Sequence, residues 1–258
     1  FFSISLTQIS CGIGGLAWIT KCCLTQSWDK QNFPLKIPFL FFILACLIAV
    51  IGAIEFSESY KSLKRLLEIL IFFWAVNCIQ GETLRERLSL LLIFAATIST
   101  LTGFYTTWQN GMSFLYEVDH GVFGSDRAEG TMSVYMTYAG LLMLAFLIAS
   151  GRLVFIPKEN KWLYLSIILL GFCLLLTFTR QAWLGVIAGV IFLIWFRKKS
   201  LLCLLPLVLG VIFLVSPASI KNRLNSLTNL EDKNLKIRMV LWHGGWLVFK
   251  DHPIIGCG

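Results

Sequence analysis

Charge is what this sequence has least of. Acidic and basic side chains make up 14% of its 258 residues, where a soluble domain carries about 25%, so an ordinary water-soluble enzyme or binding module is excluded. Hydrophobic residues make up 57%, the mean hydropathy is +0.77, and the apolar runs follow one another too closely for separate soluble domains. Metal-site spacing is missing as well. None of the eight cysteines forms a Cys-x-x-Cys pair or a Cys/His pattern suited to zinc. Cys11, Cys46, Cys78, Cys173 and Cys203 lie inside apolar runs, where cysteine acts as a small hydrophobe. Neither a metal nor a cofactor is expected. The opening run Phe1 to Thr20 is uncharged and lacks the basic flank of a signal peptide, so it reads as a first membrane segment that begins abruptly.

What is present is a succession of apolar runs of nearly bilayer length. After Phe1 to Thr20 come Ile37 to Ile54, Leu66 to Gln80, Leu88 to Trp108, Thr131 to Ser150, Trp162 to Thr179, Gln181 to Phe196 and Ser200 to about Val215, the last with Pro206 as a kink. The expected fold is all-α: a polytopic transmembrane helical bundle with about eight segments, forming one integral membrane domain over residues 1–258. Glu68 sits near the start of its run and is expected at the interface. Gly185 and Gly189 form a Gly-x-x-x-Gly that permits close helix packing.

Arg180 divides two of these runs. Eighteen uncharged residues precede it and 16 follow it. A guanidinium near hydrocarbon costs on the order of 2.5–3.5 kcal/mol on insertion scales and is rarely kept without a polar partner, a wet cavity or a ligand. Either it serves function, or it marks a tight turn and snorkels to the headgroups.

The formal charge of +8 would suggest nucleic acid for a soluble protein, but here the basic residues sit mostly in connectors, so the charge is topological and no nucleic acid partner is expected. Connectors 21–37, 81–87, 151–161 and 197–199 together carry 11 lysines and arginines, and connectors 54–65, 109–130 and 178–182 carry 5. The first set is therefore expected in the cytoplasm. Residues 109–130, Arg180 and the tail from Ser216 then face outward, although the tail adds 6 basic residues to that side. Linker 109–130 also gathers Glu117, Asp119, His120, Asp126, Arg127 and Glu129.

In the tail, Arg238, Leu241, Trp242, Gly245, Trp246 and Phe249 share one helical face between Lys236 and Lys250, and Asp251, His252 and Pro253 end the helix. An external amphipathic helix is expected, able to lie on the membrane with its tryptophans at headgroup level. His243 falls off that face and reads as solvated.

Three of these stretches together resemble the O-antigen ligase and polymerase family of polytopic bacterial membrane glycosyltransferases. DRAEGTM (Asp126 to Met132) is similar to that family's arginine-containing external loop, and TFTRQAWLG (Thr177 to Gly185) to its arginine turn. RMVLW (Arg238 to Trp242) followed by DHPIIGCG (Asp251 to Gly258) is similar to its Arg-x-x-x-Trp helix and closing Asp-His-Pro-x-x-Gly-x-Gly. The resemblance implies transfer of an undecaprenyl-pyrophosphate-linked glycan to a lipid or saccharide acceptor at the external face of the bacterial inner membrane, in lipopolysaccharide or polysaccharide biosynthesis, without cofactor. It also implies that Arg127, Arg180 and Arg238 bind the pyrophosphate and that 216–258 begins the large external, periplasmic loop. A histidine of that loop is expected beyond Gly258, so the sequence reads as truncated at both ends. His252 matches the helix-ending turn instead. The competing function is a multi-pass transporter or channel for a small anion, which outward-facing arginines would also serve, although the internal repeat found in many transporters is missing.

Overall fold

The computed structural model describes residues 4–28, 31–109, 128, 130, 132, 134–156, 161–197, 233–253 and 256. Its helices are α1 (Ile4–Thr25), α2 (Lys36–Ile51), α3 (Phe56–Ser62), α4 (Leu67–Cys78), α5 (Glu82–Gln109), α6 (Tyr135–Phe155), α7 (Trp162–Leu176), α8 (Arg180–Arg197) and α9 (Lys233–Asp251), with a 3-10 turn at Leu63–Leu66 between α3 and α4. Among the described residues the secondary structure is entirely helical. The chain divides into two compact units, one of Phe1–Ile4 and Glu86–Asp232, the other of Ser5–Arg85 and Lys233–Gly258.

The expectation of eight membrane segments is corrected. By length and apolarity α5, α6 and α8 can cross a bilayer, while α2, α7 and the stretch Ile9–Thr25 of α1 are apolar but shorter. The eighth expected segment, 200–215, lies outside the described residues. The shortfall in α7 has a local cause. Its uncharged run counts 18 residues, but Phe178 takes a left-handed φ of 49°, so the helix stops at Leu176 after 15 residues, about 22 Å at 1.5 Å per residue. Connector 54–65 is also not a plain loop: α3 and the 3-10 turn occupy most of it.

In the first unit α6 packs against both α7 and α8. Its buried stripe, Tyr138, Leu142, Ala145 and Ala149, has helical spacing and narrows to alanine, which lets neighbouring backbones approach. Gly185 and Gly189 of α8 face Met143 and Leu147 of α6, and a Cβ added at Gly189 would come within 2.5 Å of Leu147. The two helices therefore run parallel, and the expected close packing of the Gly-x-x-x-Gly is realised. Helix α5 joins through Ser99, whose backbone oxygen accepts the Tyr138 hydroxyl at 2.7 Å, and through Ser89, which accepts from Arg152 at 3.0 Å. Its other face carries Leu91, Phe94, Ile98, Leu101, Tyr105 and Trp108, all exposed. A stripe of that length would be a liability in water; facing lipid it costs nothing.

The second unit is held by aromatic rings and one amide. Phe33 and Phe39 both pack on Phe73, each at 5.4 Å between ring centres. The Asn77 side chain accepts from the Asn32 amide at 2.7 Å and donates to the Asn32 carbonyl at 2.9 Å, fixing the connector between α1 and α2.

Candidate functional site

The turn between α7 and α8 is built almost wholly from backbone carbonyls and the groups that satisfy them. A helix ends with carbonyls that lack intrahelical partners. Here the Leu174 oxygen accepts from the Thr177 hydroxyl at 2.7 Å and from the Trp183 indole at 3.2 Å. The Leu175 oxygen accepts from the Phe178 amide at 3.1 Å, and the Leu176 oxygen from the Ala128 amide at 3.1 Å. Thr179 then starts α8, its carbonyl receiving the Ala182 and Trp183 amides at 3.0 and 3.2 Å. Its hydroxyl donates back to the Thr177 carbonyl at 3.2 Å. Both threonines are buried, so the polar atoms of TFT are consumed in shaping the turn.

Arg180 is the first residue of α8 and is half-buried. A cation there opposes the helix macrodipole, which favours negative charge at an N-terminus by about 0.3–1 kcal/mol. The guanidinium and the N-terminal end of α8 therefore add to one positive field, suited to an anion with several oxygens.

Ala128, Gly130 and Met132 of the DRAEGTM motif pack beside this turn. Ala128 is fully buried, Met132 nearly so, and both belong to the core cluster that contains Tyr138, Leu176 and Trp183. Gly130 has a left-handed φ of 58°, and a Cβ placed on it would come within 2.5 Å of the Tyr138 ring. Glycine is thus required twice over, for conformation and for space. The Tyr138 hydroxyl in turn receives a hydrogen bond from Ser99 at 3.2 Å and touches the Cys173 sulfur at 3.5 Å. Tyr138 therefore carries Gly130 on its ring and ties α5, α6 and α7 together at its hydroxyl.

Of the three expected pyrophosphate ligands, Arg127 lies outside the described residues, although its neighbour Ala128 is pinned beside the Arg180 turn. Arg238 belongs to the second unit, on α9, where every residue from 236 to 250 is exposed. That helix ends as expected: it stops at Asp251, the His252 amide donates to Val248 at 2.9 Å, and Gly256, with φ of 76°, donates to His252 at 3.2 Å. Trp246 and Phe249 stack at 5.5 Å and Lys250 lies 5.7 Å over the Trp246 ring. His243 is exposed. Among the described residues no group of three His, Cys, Asp or Glu side chains is placed to hold a metal ion.

Sequence reasoning missed Tyr138 and Trp183. The available signal was their polar atoms: a tyrosine hydroxyl or indole N–H inside an apolar segment needs a partner, and both find theirs in this site.

No curated protein and no solved structure matches the chain. Residues 165–258 match a family model described as O-antigen ligase, a stretch that takes in most of α7, the Arg180 turn, α8 and α9. Over that stretch, less than half of the chain, the sequence is similar to the O-antigen ligase family.

Proposed function

We propose that this chain transfers a glycan from an undecaprenyl-pyrophosphate carrier to an acceptor hydroxyl at the external face of the inner membrane, as an O-antigen ligase or polymerase-like enzyme. The observation that carries the reading is the Arg180 turn, where a half-buried guanidinium heads α8 and the Ala128 amide donates to the last carbonyl of α7. In the reaction the acceptor oxygen bonds to the anomeric carbon as the bond to the pyrophosphate oxygen breaks. The electron pair leaves with the carrier, and the hydroxyl proton passes to a base.

Negative charge grows on the departing pyrophosphate, and fixed cations aimed at it favour the transition state over the ground state. Arginine suits this because it stays charged and binds phosphate oxygens in pairs. In this reading Arg127, Arg180 and Arg238 hold the pyrophosphate, and residues 216–258 open the external loop. The outward placement is supported by the opposite end of the first unit, where Arg87, Arg152, Lys161 and Arg197 lie at the other termini of the same helices, as the positive-inside rule prefers. The family description favours glycosyl transfer over anion transport.

The test is transfer from purified lipid-linked glycan by the full-length protein and its Arg180→Lys variant. Lysine keeps the charge but not the paired contact, so folding should be retained while the rate falls by roughly 100-fold or more, the scale for losing one preorganised donor. A rate within about threefold of wild type would leave Arg180 as a turn residue.

A further inference from the structure

The second unit contains a cavity of about 620 Å³ that the glycosyl-transfer reading does not use. It lies where α2 meets α3, the 3-10 turn and the first turn of α4, and its size is that of an ordinary small-molecule site. One wall is a stripe of α2, Phe42, Cys46, Ala49 and Val50, about 12 Å long at 1.5 Å per residue. Leu63, Leu66 and Ile69 add to the apolar lining. The rest of the lining is polar, and it is concentrated on α3, the 3-10 turn and the start of α4: Glu58, Ser59, Ser62, Arg65 and Glu68.

A long apolar wall beside charges of both signs describes an amphiphile with a dipolar head. Glu58 is engaged with Lys61. Arg65 and Glu68 form no ion pair with each other among the described residues, and both are exposed. They stand three residues apart, a spacing that brings helical side chains to about 5–6 Å between Cβ atoms. One can therefore take a phosphate while the other takes an ammonium of the same molecule. A saccharide would leave the apolar stripe uncovered, and a purely anionic lipid would bring its charge against two carboxylates.

We infer that this cavity binds one zwitterionic aminophospholipid, its phosphate on Arg65, its primary ammonium on Glu68 and the upper part of an acyl chain along Phe42, Cys46, Ala49 and Val50. The site stands independently of the proposed glycosyl transfer. A primary ammonium donates hydrogen bonds to a carboxylate and a trimethylated one cannot, so ethanolamine lipid is preferred over choline lipid.

The test titrates the purified chain in detergent with phosphatidylethanolamine, phosphatidylcholine or phosphatidylglycerol and reads bound lipid by native mass spectrometry. One phosphatidylethanolamine should bind ahead of the other two lipids. Arg65→Ala should weaken it roughly tenfold or more, as for a charged hydrogen bond, and Glu68→Gln should lower it to the level of phosphatidylcholine. Ala49→Trp, which fills the groove, should remove it. Because Arg65 and Glu68 are exposed, their variants fold even if Ala49→Trp does not. Equal binding of phosphatidylglycerol, absence of a bound lipid, or affinities in Arg65→Ala and Glu68→Gln within twofold of wild type would each overturn the inference.

Discussion

Adding one methyl group at Gly130 tests whether that residue rests on the Tyr138 ring as described. In Gly130→Ala the new Cβ meets Tyr138 ring atoms at 2.5 and 2.6 Å, and the residue must hold a φ of 58°. The left-handed conformation costs an L-residue about 1–2 kcal/mol. Forcing the buried ring aside adds about 1–3 kcal/mol, the range for overpacking a filled core. The expected loss of stability is therefore about 2–5 kcal/mol, read as unfolding in detergent micelles. Truncating the ring separates the two parts. In a Tyr138→Leu background the steric part should largely vanish, so Gly130→Ala should cost only the conformational 1–2 kcal/mol there. Costs that add to within about 0.5 kcal/mol would mean that Gly130 and Tyr138 are not in contact, and the packing of Ala128, Gly130 and Met132 beside the Arg180 turn would fall with it.

Three further outcomes follow from named contacts. Asn77→Leu strips both bonds to the Asn32 backbone and should destabilise the second unit by about 1–3 kcal/mol, the net loss of two hydrogen bonds at about 0.5–1.5 kcal/mol each, as measured by thermal unfolding; no change would mean that the connector is held otherwise. Gly189→Val should push α8 off Leu147 of α6 and lower the folded yield of purified protein, whereas Gly140→Ala, with open space at its Cβ, should not. Arg238→Ala should cost roughly 100- to 1000-fold in transfer rate if Arg238 touches the carrier, against about 1 kcal/mol of lipid attraction if α9 only rests on the membrane; Trp242→Ala is the packing control, and a loss confined to that variant would favour anchoring.

Much of the fold was legible because long uncharged runs leave few alternatives. Each expected segment among the described residues has a helix in it, and the Gly-x-x-x-Gly and the end of α9 fell where spacing put them. Helix ends were less legible. Thr177 and Thr179 count as uncharged, and hydropathy cannot see that their hydroxyls bond to carbonyls or that Phe178 turns left-handed. Connector 54–65 read as a short charged link because charge density hides a short helix. At the site, the arginine turn announced itself through the cost of its charge. Its support did not, because Tyr138 reaches Ser99 and Gly130 only in three dimensions.

The chemistry of the turn also separates the arginine's role from that of its neighbours. If Arg180 existed to finish α7, its guanidinium would have orphan carbonyls to satisfy. The Leu174, Leu175 and Leu176 oxygens instead already accept from Thr177, Trp183, Phe178 and Ala128. Helix α8 is likewise started by the Thr179 carbonyl, while a cation in its first turn works against the dipole. Removing the charge with Arg180→Gln relieves about 0.3–1 kcal/mol of that opposition and gives up the contact of the half-buried guanidinium, about 1.5–3 kcal/mol for a hydrogen bond to a charged group. The two oppose each other, so the protein should stay folded in detergent with a net loss of no more than about 3 kcal/mol. Thr177→Val, by contrast, deletes a buried hydroxyl that donates to the Leu174 oxygen and accepts from the Thr179 amide at 3.4 Å, at about 0.5–1.5 kcal/mol for each bond lost. If Arg180→Gln unfolds the protein while Thr177→Val is tolerated, the arginine is a structural cap and the pyrophosphate reading loses its main support.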